Sequence, residues 1–150
     1  MKARDIMTSN PRSCRSSDSI QDTARLMRDC DCGSLPVLDD NEKLIGVVTD
    51  RDLAIRGLAE GKSVDTQVRD LMTSDPFCSH DDTDVADIGR SMADRQIRRV
   101  PIVDGNGRLV GIIAQADLAI AAKGKGGVSD QEVASVVEKI SEPGQTNKRS

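Results

Sequence analysis

The sequence predicts an α+β fold, α/β-like in its alternation of strands and helices, in which one small unit is used twice. Three observations predict it. Met7-Thr8-Ser9 with Pro11 returns as Met72-Thr73-Ser74 with Pro76, Pro36 as Pro101, Gly46 as Gly111, and Asp52-Leu53-Ala54-Ile55 as Asp117-Leu118-Ala119-Ile120, all at an offset of 65 residues and without a gap. Within each copy, short apolar runs alternate with stretches of helical period. Phe77 is the sole aromatic residue, so the core is expected to be built from many small aliphatic contacts. An unbroken register over residues 3 to 55 and 68 to 120 leaves no insertion for a separate catalytic domain. Function is therefore expected in the pairing of the copies and in the positions where they differ.

Each copy opens with a short element (ARDIM, VRDLM) and turns at Asn10-Pro11 or Asp75-Pro76, then passes into a brief strand at Ser13 to Arg15 or Phe77 to Ser79. A helix follows. In the first copy Asp18 is the expected N-cap, Gln21 takes the box position, and Ile20, Ala24, Met27 and Cys30 form the apolar face; in the second, Thr83 caps and Val85, Ile88 and Met92 form the face. Leu35 to Leu38 and Leu44 to Val48, joined by Asp39-Asp40-Asn41-Glu42, read as a β-hairpin. Val100 to Val103 and Leu109 to Ile113 repeat it around Asp104-Gly105-Asn106-Gly107. Their continuous apolarity implies cover on both faces. A second helix begins near Thr49 or Ala114 and runs through Leu53 to Ile55 or Leu118 to Ile120. The unit is thus β-α-β-β-α, with residues 1–60 as the first repeat, 61–67 as linker and 68–124 as the second. Beyond it, Ser129 and Glu132 form a capping box ahead of Val133, Val136, Val137 and Ile140, which predicts a C-terminal helix over 128–140 and a disordered tail over 141–150. That helix has no counterpart in the first copy and is expected to cover an exposed edge or to bind a neighbouring chain.

Composition excludes several functions. Two units of this size are each marginal alone and should share a core. A net charge of −4, a pI near 5.0 and the lack of stacking aromatics argue against a nucleic-acid partner. No apolar run approaches the roughly 20 residues of a membrane span, and the N-terminus lacks an apolar signal core, so a cytoplasmic protein is expected. Cys14, Cys30, Cys32 and Cys78 are expected as reduced, core-packing thiols. A thiol-based redox or metal switch is the competing reading, though Cys30-Asp31-Cys32 is too tight for a zinc knuckle and His80 is the lone histidine. No nucleophile motif and no phosphate loop with lysine is present, so the chain is not expected to be an enzyme.

The DIMT and DLMT openings, the LPV and VPI strands followed by aspartate, and GVVTDRDLAI with its partner GIIAQADLAI together resemble the CBS-domain family. Chain length and the TDRD run are most similar to bacterial stand-alone CBS-pair proteins. The resemblance implies two repeats packed through their sheets with pseudo-twofold symmetry. It also implies a regulatory module that holds AMP, ADP, ATP, S-adenosylmethionine or a related ligand in the cleft between repeats. No cofactor is required, and a homodimer and an unidentified protein partner are expected. The alternative is a ligand-free dimerisation or interaction scaffold.

The chemistry of the motif agrees with the resemblance. At Thr49 strand turns into helix, so its hydroxyl and the free helix N–H groups could converge on a phosphate. Asp52, one turn on, could accept from both ribose hydroxyls. Gly46 would let the strand lie close under a base. Yet Thr49-Asp50-Arg51-Asp52 is also a competent capping box, which is a purely structural device. In the second copy Ala114 replaces Thr49 while Asp117 is kept. Arg98 and Arg99 stand where the first copy has Gly33 and Ser34, and the family uses basic residues there to reach phosphates. The expected site residues are Thr49, Arg51, Asp52, Asp117, Arg98 and Arg99, with Ser13, Cys14, Leu35 and Pro36 around the base. The expectation is one better site around Thr49 and Asp52, and a second, poorer or differently tuned one around Asp117.

Overall fold

The computed structural model describes residues 1–123; the predicted 128–140 helix and 141–150 tail lie outside the described residues. In chain order the elements are α1 (Ala3–Ile6), β1 (Thr8–Ser9), β2 (Cys14–Arg15), α2 (Ile20–Cys30), β3 (Ser34–Leu38), β4 (Leu44–Thr49) and α3 (Asp50–Asp52). α3 widens into a π-helical stretch, Leu53–Leu58, and a single 3-10 turn, Val68–Asp70, opens the second repeat. Then come β5 (Thr73–Ser74), β6 (Ser79–His80), α4 (Val85–Arg95), β7 (Arg99–Val103), β8 (Leu109–Ala114) and α5 (Gln115–Lys123). Each repeat therefore contains the expected β-α-β-β-α unit, preceded by a short helical turn and a two-residue strand.

Those two short strands are exchanged. Among the described residues, one compact unit takes Met1–Pro11 with Phe77–Lys123, and the other takes Arg12–Pro76. Their sheets run β1-β8-β7-β6 and β2-β3-β4-β5, so the opening strand of each repeat pairs with the last strand of the other. β1 lies antiparallel to β8 (Thr8 opposite Ile112), and β5 lies antiparallel to β4 (Val47 opposite Thr73). Within each unit the strand before the long helix runs parallel to the strand after it, as a helical crossover requires.

A pair of repeated residues explains the exchange. A Cβ on Gly46 would stand 2.5 Å from Met72 Sδ and 3.0 Å from the Thr73 carbonyl oxygen, and one on Gly111 would run into Met7 Sδ. Methionine in the opening motif thus lies over the glycine of the other repeat's hairpin. The close approach expected at Gly46 under a base is instead filled by Met72.

In Arg12–Pro76, Leu35, Val37, Val48, Val68 and Leu71 are at most 1% exposed. In the other unit Ala3, Val85, Ile88, Met92, Val100, Ile102, Ile113 and Leu118 form the buried cluster. The α4 face is the predicted one. In α2 the face shifts by one residue: Thr23 is buried, its hydroxyl bonded to the Ser19 carbonyl, and Ala24 is exposed. The caps also move. Ser19, not Asp18, accepts the Asp22 N–H, because Asp18 is engaged by the Arg15 N–H at 2.8 Å. Asp84 rather than Thr83 precedes α4, without a side-chain cap, since Thr83 points its carbonyl to the Ala3 N–H.

Both hairpin loops are built on one aspartate. Asp39 Oδ1 accepts from Asn41 and Lys43 N–H, and Asp104 Oδ1 accepts from Asn106 and Arg108 N–H, which holds the Asp104 carboxyl below its ordinary pKa. The loops differ at their last position, where Glu42 has φ 65° and Gly107 has φ 79°. Only the second supplies that conformation without a Cβ penalty. Glu42→Gly is therefore expected to stabilise the chain by about 0.5–1 kcal/mol, read as a raised midpoint in chemical denaturation with unchanged slope.

Candidate functional site: two strand-to-helix junctions

In Arg12–Pro76 the junction of β4 and α3 is a complete capping box. Thr49 N–H donates to Asp52 Oδ2 at 2.9 Å, and Asp52 N–H donates to Thr49 Oγ1 at 3.0 Å. Asp52 is 6% exposed. Its Oδ1 lies 3.7 Å from Arg56 Nε, and Arg56 Nη1 donates to the Leu71 carbonyl at 3.3 Å. A buried carboxylate needs such partners, and Arg56, one turn along, supplies the charge. Arg56 is not among the residues that the motif singles out. The signal was its offset partner, Ala121, which removes the cation from the second copy.

β3 lies between β2 and β4, so Cys14, Leu35, Pro36 and Thr49 share one sheet, with Ser34 opposite Thr49 and Leu35 opposite Val48. Leu35, Pro36 and Cys14 are buried, and Ser13, just ahead of β2, is half-buried. Cys14 Sγ sits 3.7 Å from the Pro36 carbonyl oxygen, and burial pushes its thiol up to about 12. Arg51 is exposed at the start of the helix. Asp50 N–H bonds the Gly33 carbonyl at 3.0 Å, and a Cβ on Gly33 would meet Asp50 Oδ2 at 3.4 Å.

The other unit holds the corresponding junction of β8 and α5. Ala114 N–H donates to Asp117 Oδ2 at 2.7 Å, which is half of the box, and the hydroxyl half is lost with Thr49's replacement. Arg99 lies opposite Ala114, and the Arg98 carbonyl accepts from Gln115 N–H at 2.9 Å. Arg98, Arg99, Ala114 and Asp117 are therefore neighbours. Both arginines are exposed, and no ion pair among the described residues engages them. Asp117 is half-buried, and the position of Arg56 is taken by Ala121.

The cysteines depart from expectation at one place. Cys14 and Cys78 are free, whereas the sulfur atoms of Cys30 and Cys32 are joined, with their Cα atoms 5.3 Å apart. α2 ends at Cys30 and Asp31 turns left-handed at φ 52°, which folds Cys32 back so that its N–H reaches the Met27 carbonyl. Both half-buried side chains still border the core of Arg12–Pro76. Among the described residues, no three His, Cys, Asp or Glu side chains converge as a metal site. No helix among them is long and apolar enough to cross a membrane.

Comparison with known proteins agrees with this architecture. The uncharacterized protein YlbB of Bacillus subtilis is 37% identical over 80% of this chain and 81% of its own length. Among solved structures, CBSX2 of Arabidopsis thaliana in complex with AMP superposes with a TM-score of 0.71 at 33% identity, covering 81% of this chain and 96% of that one. The CBS domain pair of MJ0100, in complex with 5'-methylthioadenosine and S-adenosylmethionine, gives 0.70 at 28% identity over 84% and 98%. The family model of the CBS domain matches residues 3–57 and 68–124, so a chain that repeats its opening motif, its hairpin and its strand-to-helix junction belongs to the CBS-domain family as a tandem pair.

Proposed function

We propose that this CBS pair is a regulatory sensor that binds an adenosine-containing ligand, at the junctions of Thr49 with Asp52 and of Ala114 with Asp117. The observation that carries the reading is Asp117. It keeps its carboxylate where Thr49's counterpart is alanine, and it spends only Oδ2 on the Ala114 N–H, leaving Oδ1 for a ribose hydroxyl. A capping role alone does not demand that arrangement. AMP in CBSX2, and methylthioadenosine and S-adenosylmethionine in the MJ0100 pair, support the ligand class. Ser13, Cys14, Leu35 and Pro36 would border the base, with contacts made mainly by backbone.

Such a ligand regulates by favouring one arrangement of the repeats, or of a homodimer, over another, and only by as much as its affinity differs between them. The proposal includes a cytoplasmic homodimer without catalytic activity. Ile55 and its offset equivalent Ile120, 50% and 70% exposed, give each repeat the same apolar residue to offer a second copy. Calorimetry and thermal shift on the full chain with AMP, ATP, methylthioadenosine and S-adenosylmethionine test the reading. Saturable binding of at least one is expected, and the absence of heat and of any shift with all four at millimolar concentration would overturn it in favour of a ligand-free scaffold.

A further inference from the structure

We infer that the two repeats sort adenosine ligands by charge, the second repeat taking those that carry phosphate and the first those that do not. The inference rests on the proposed adenosine reading and assigns a ligand class to each of its sites.

The contrast lies in residues that occupy the same register. Ser34 opposes Thr49 in one hairpin, and Arg99 opposes Ala114 in the other. The backbone contact that closes the junction is also the same, Asp50 N–H to the Gly33 carbonyl and Gln115 N–H to the Arg98 carbonyl. Only the side chains differ. In the first repeat the Asp50 carboxylate stands within 3.4 Å of where a Gly33 side chain would begin, so the place that holds an arginine in the second repeat faces an acid in the first.

The exposed charges follow from this. Around the first junction Asp50 and Arg51 are exposed and cancel, −1 with +1, while the buried Asp52 is matched by Arg56. Around the second, Arg98 and Arg99 are exposed and add to +2, and Gln115 and Ala116 are neutral. Asp117 is the one acid there, and its Oδ2 is bound to backbone. A phosphate next to the first junction meets an exposed carboxylate, whereas next to the second it meets two exposed planar donor forks and the one half-buried acid, Asp117, whose Oδ2 is already bound to backbone. A neutral adenosine ligand gains nothing from the arginines and meets no repulsion at Asp50, so the first junction is open to it, and a sulfonium is attracted by Asp50 and repelled by the two arginines.

Calorimetry on the full chain with ATP and with methylthioadenosine as probes tests this, using Arg98→Gly combined with Arg99→Ser, and separately Asp50→Gln. Each substitution installs the other repeat's chemistry at an exposed site, and unchanged thermal melting checks the fold. The arginine variant is expected to bind ATP about 10- to 100-fold more weakly, as loss of charged hydrogen bonds predicts, and methylthioadenosine within about twofold of wild type. Asp50→Gln is expected to add or strengthen a second ATP event. Three results would overturn the inference while leaving the adenosine reading intact: ATP affinity indifferent to the arginine variant, equal weakening of both probes by it, or ATP binding lost in Asp50→Gln. Wild type that binds neither probe, nor AMP, nor S-adenosylmethionine would overturn both.

Discussion

Leu71→Ala is expected to destabilise the unit that carries the first repeat, although Leu71 belongs to the sequence of the second. Leu71 is fully buried in Arg12–Pro76, where a Cβ on Gly57 would come within 2.9 Å of its Cδ2 and where its carbonyl receives Arg56. Truncating a leucine so enclosed costs about 2–5 kcal/mol, a large share of what a unit this small holds. Native-state hydrogen exchange reads the location. The largest loss of protection should fall on the β3–β4 hairpin, Ser34–Leu38 with Leu44–Thr49, and the lesser on β7 and β8. Loss centred on β7 and β8 would show that each repeat folds on its own sequence.

The second large effect is an inequality between equivalent aspartates. Asp52→Ala removes the Oδ2 acceptor of the Thr49 N–H and strands Arg56, all at a buried position, and should cost about 1–3 kcal/mol. Asp117→Ala removes one backbone bond at a half-buried position with no paired cation and should cost under about 1 kcal/mol. Binding should reverse the order. Asp117, whose Oδ1 is not committed to an arginine, is the better ribose acceptor, so Asp117→Ala should weaken AMP tenfold or more while the fold persists. Denaturant midpoints together with AMP titration of the two variants measure both halves. Equal stability losses would contradict the buried pairing of Asp52 with Arg56 that Asp117 lacks.

This inequality qualifies what the sequence alone suggests. The repeat, the hairpins and the face of α4 were legible because each depends on local period and turn chemistry, and the Thr49–Asp52 box was legible because it spans one helical turn. The exchange of β1 and β5 was not. In a chain that repeats without a gap, Met7 has two equivalent glycines to pack on, Gly46 and Gly111, and nothing local distinguishes them. Arg56 was overlooked because a cation one turn after an aspartate is common on solvated helices, and only the burial of Asp52 makes it a necessary partner. The pairing of Cys30 with Cys32 depends on the left-handed conformation of Asp31, a backbone state that residue type permits without predicting. At the site itself, the sequence named the residues that differ between repeats, and the strand register explains why those differences matter. Arg98 and Arg99 adjoin the uncharged Gln115 and Ala114, whereas Gly33 faces Asp50.

As proposed, the two strand-to-helix junctions are ligand sites and not helix caps alone. Amide chemical-shift mapping on the isotope-labelled full chain tests it most directly, with AMP and then methylthioadenosine added to saturation. AMP is expected to shift Arg98, Arg99 and Ala114 to Asp117 most strongly, and methylthioadenosine to shift Gly33, Ser34 and Thr49 to Asp52. Saturating ligand that leaves both junctions unmoved would contradict it.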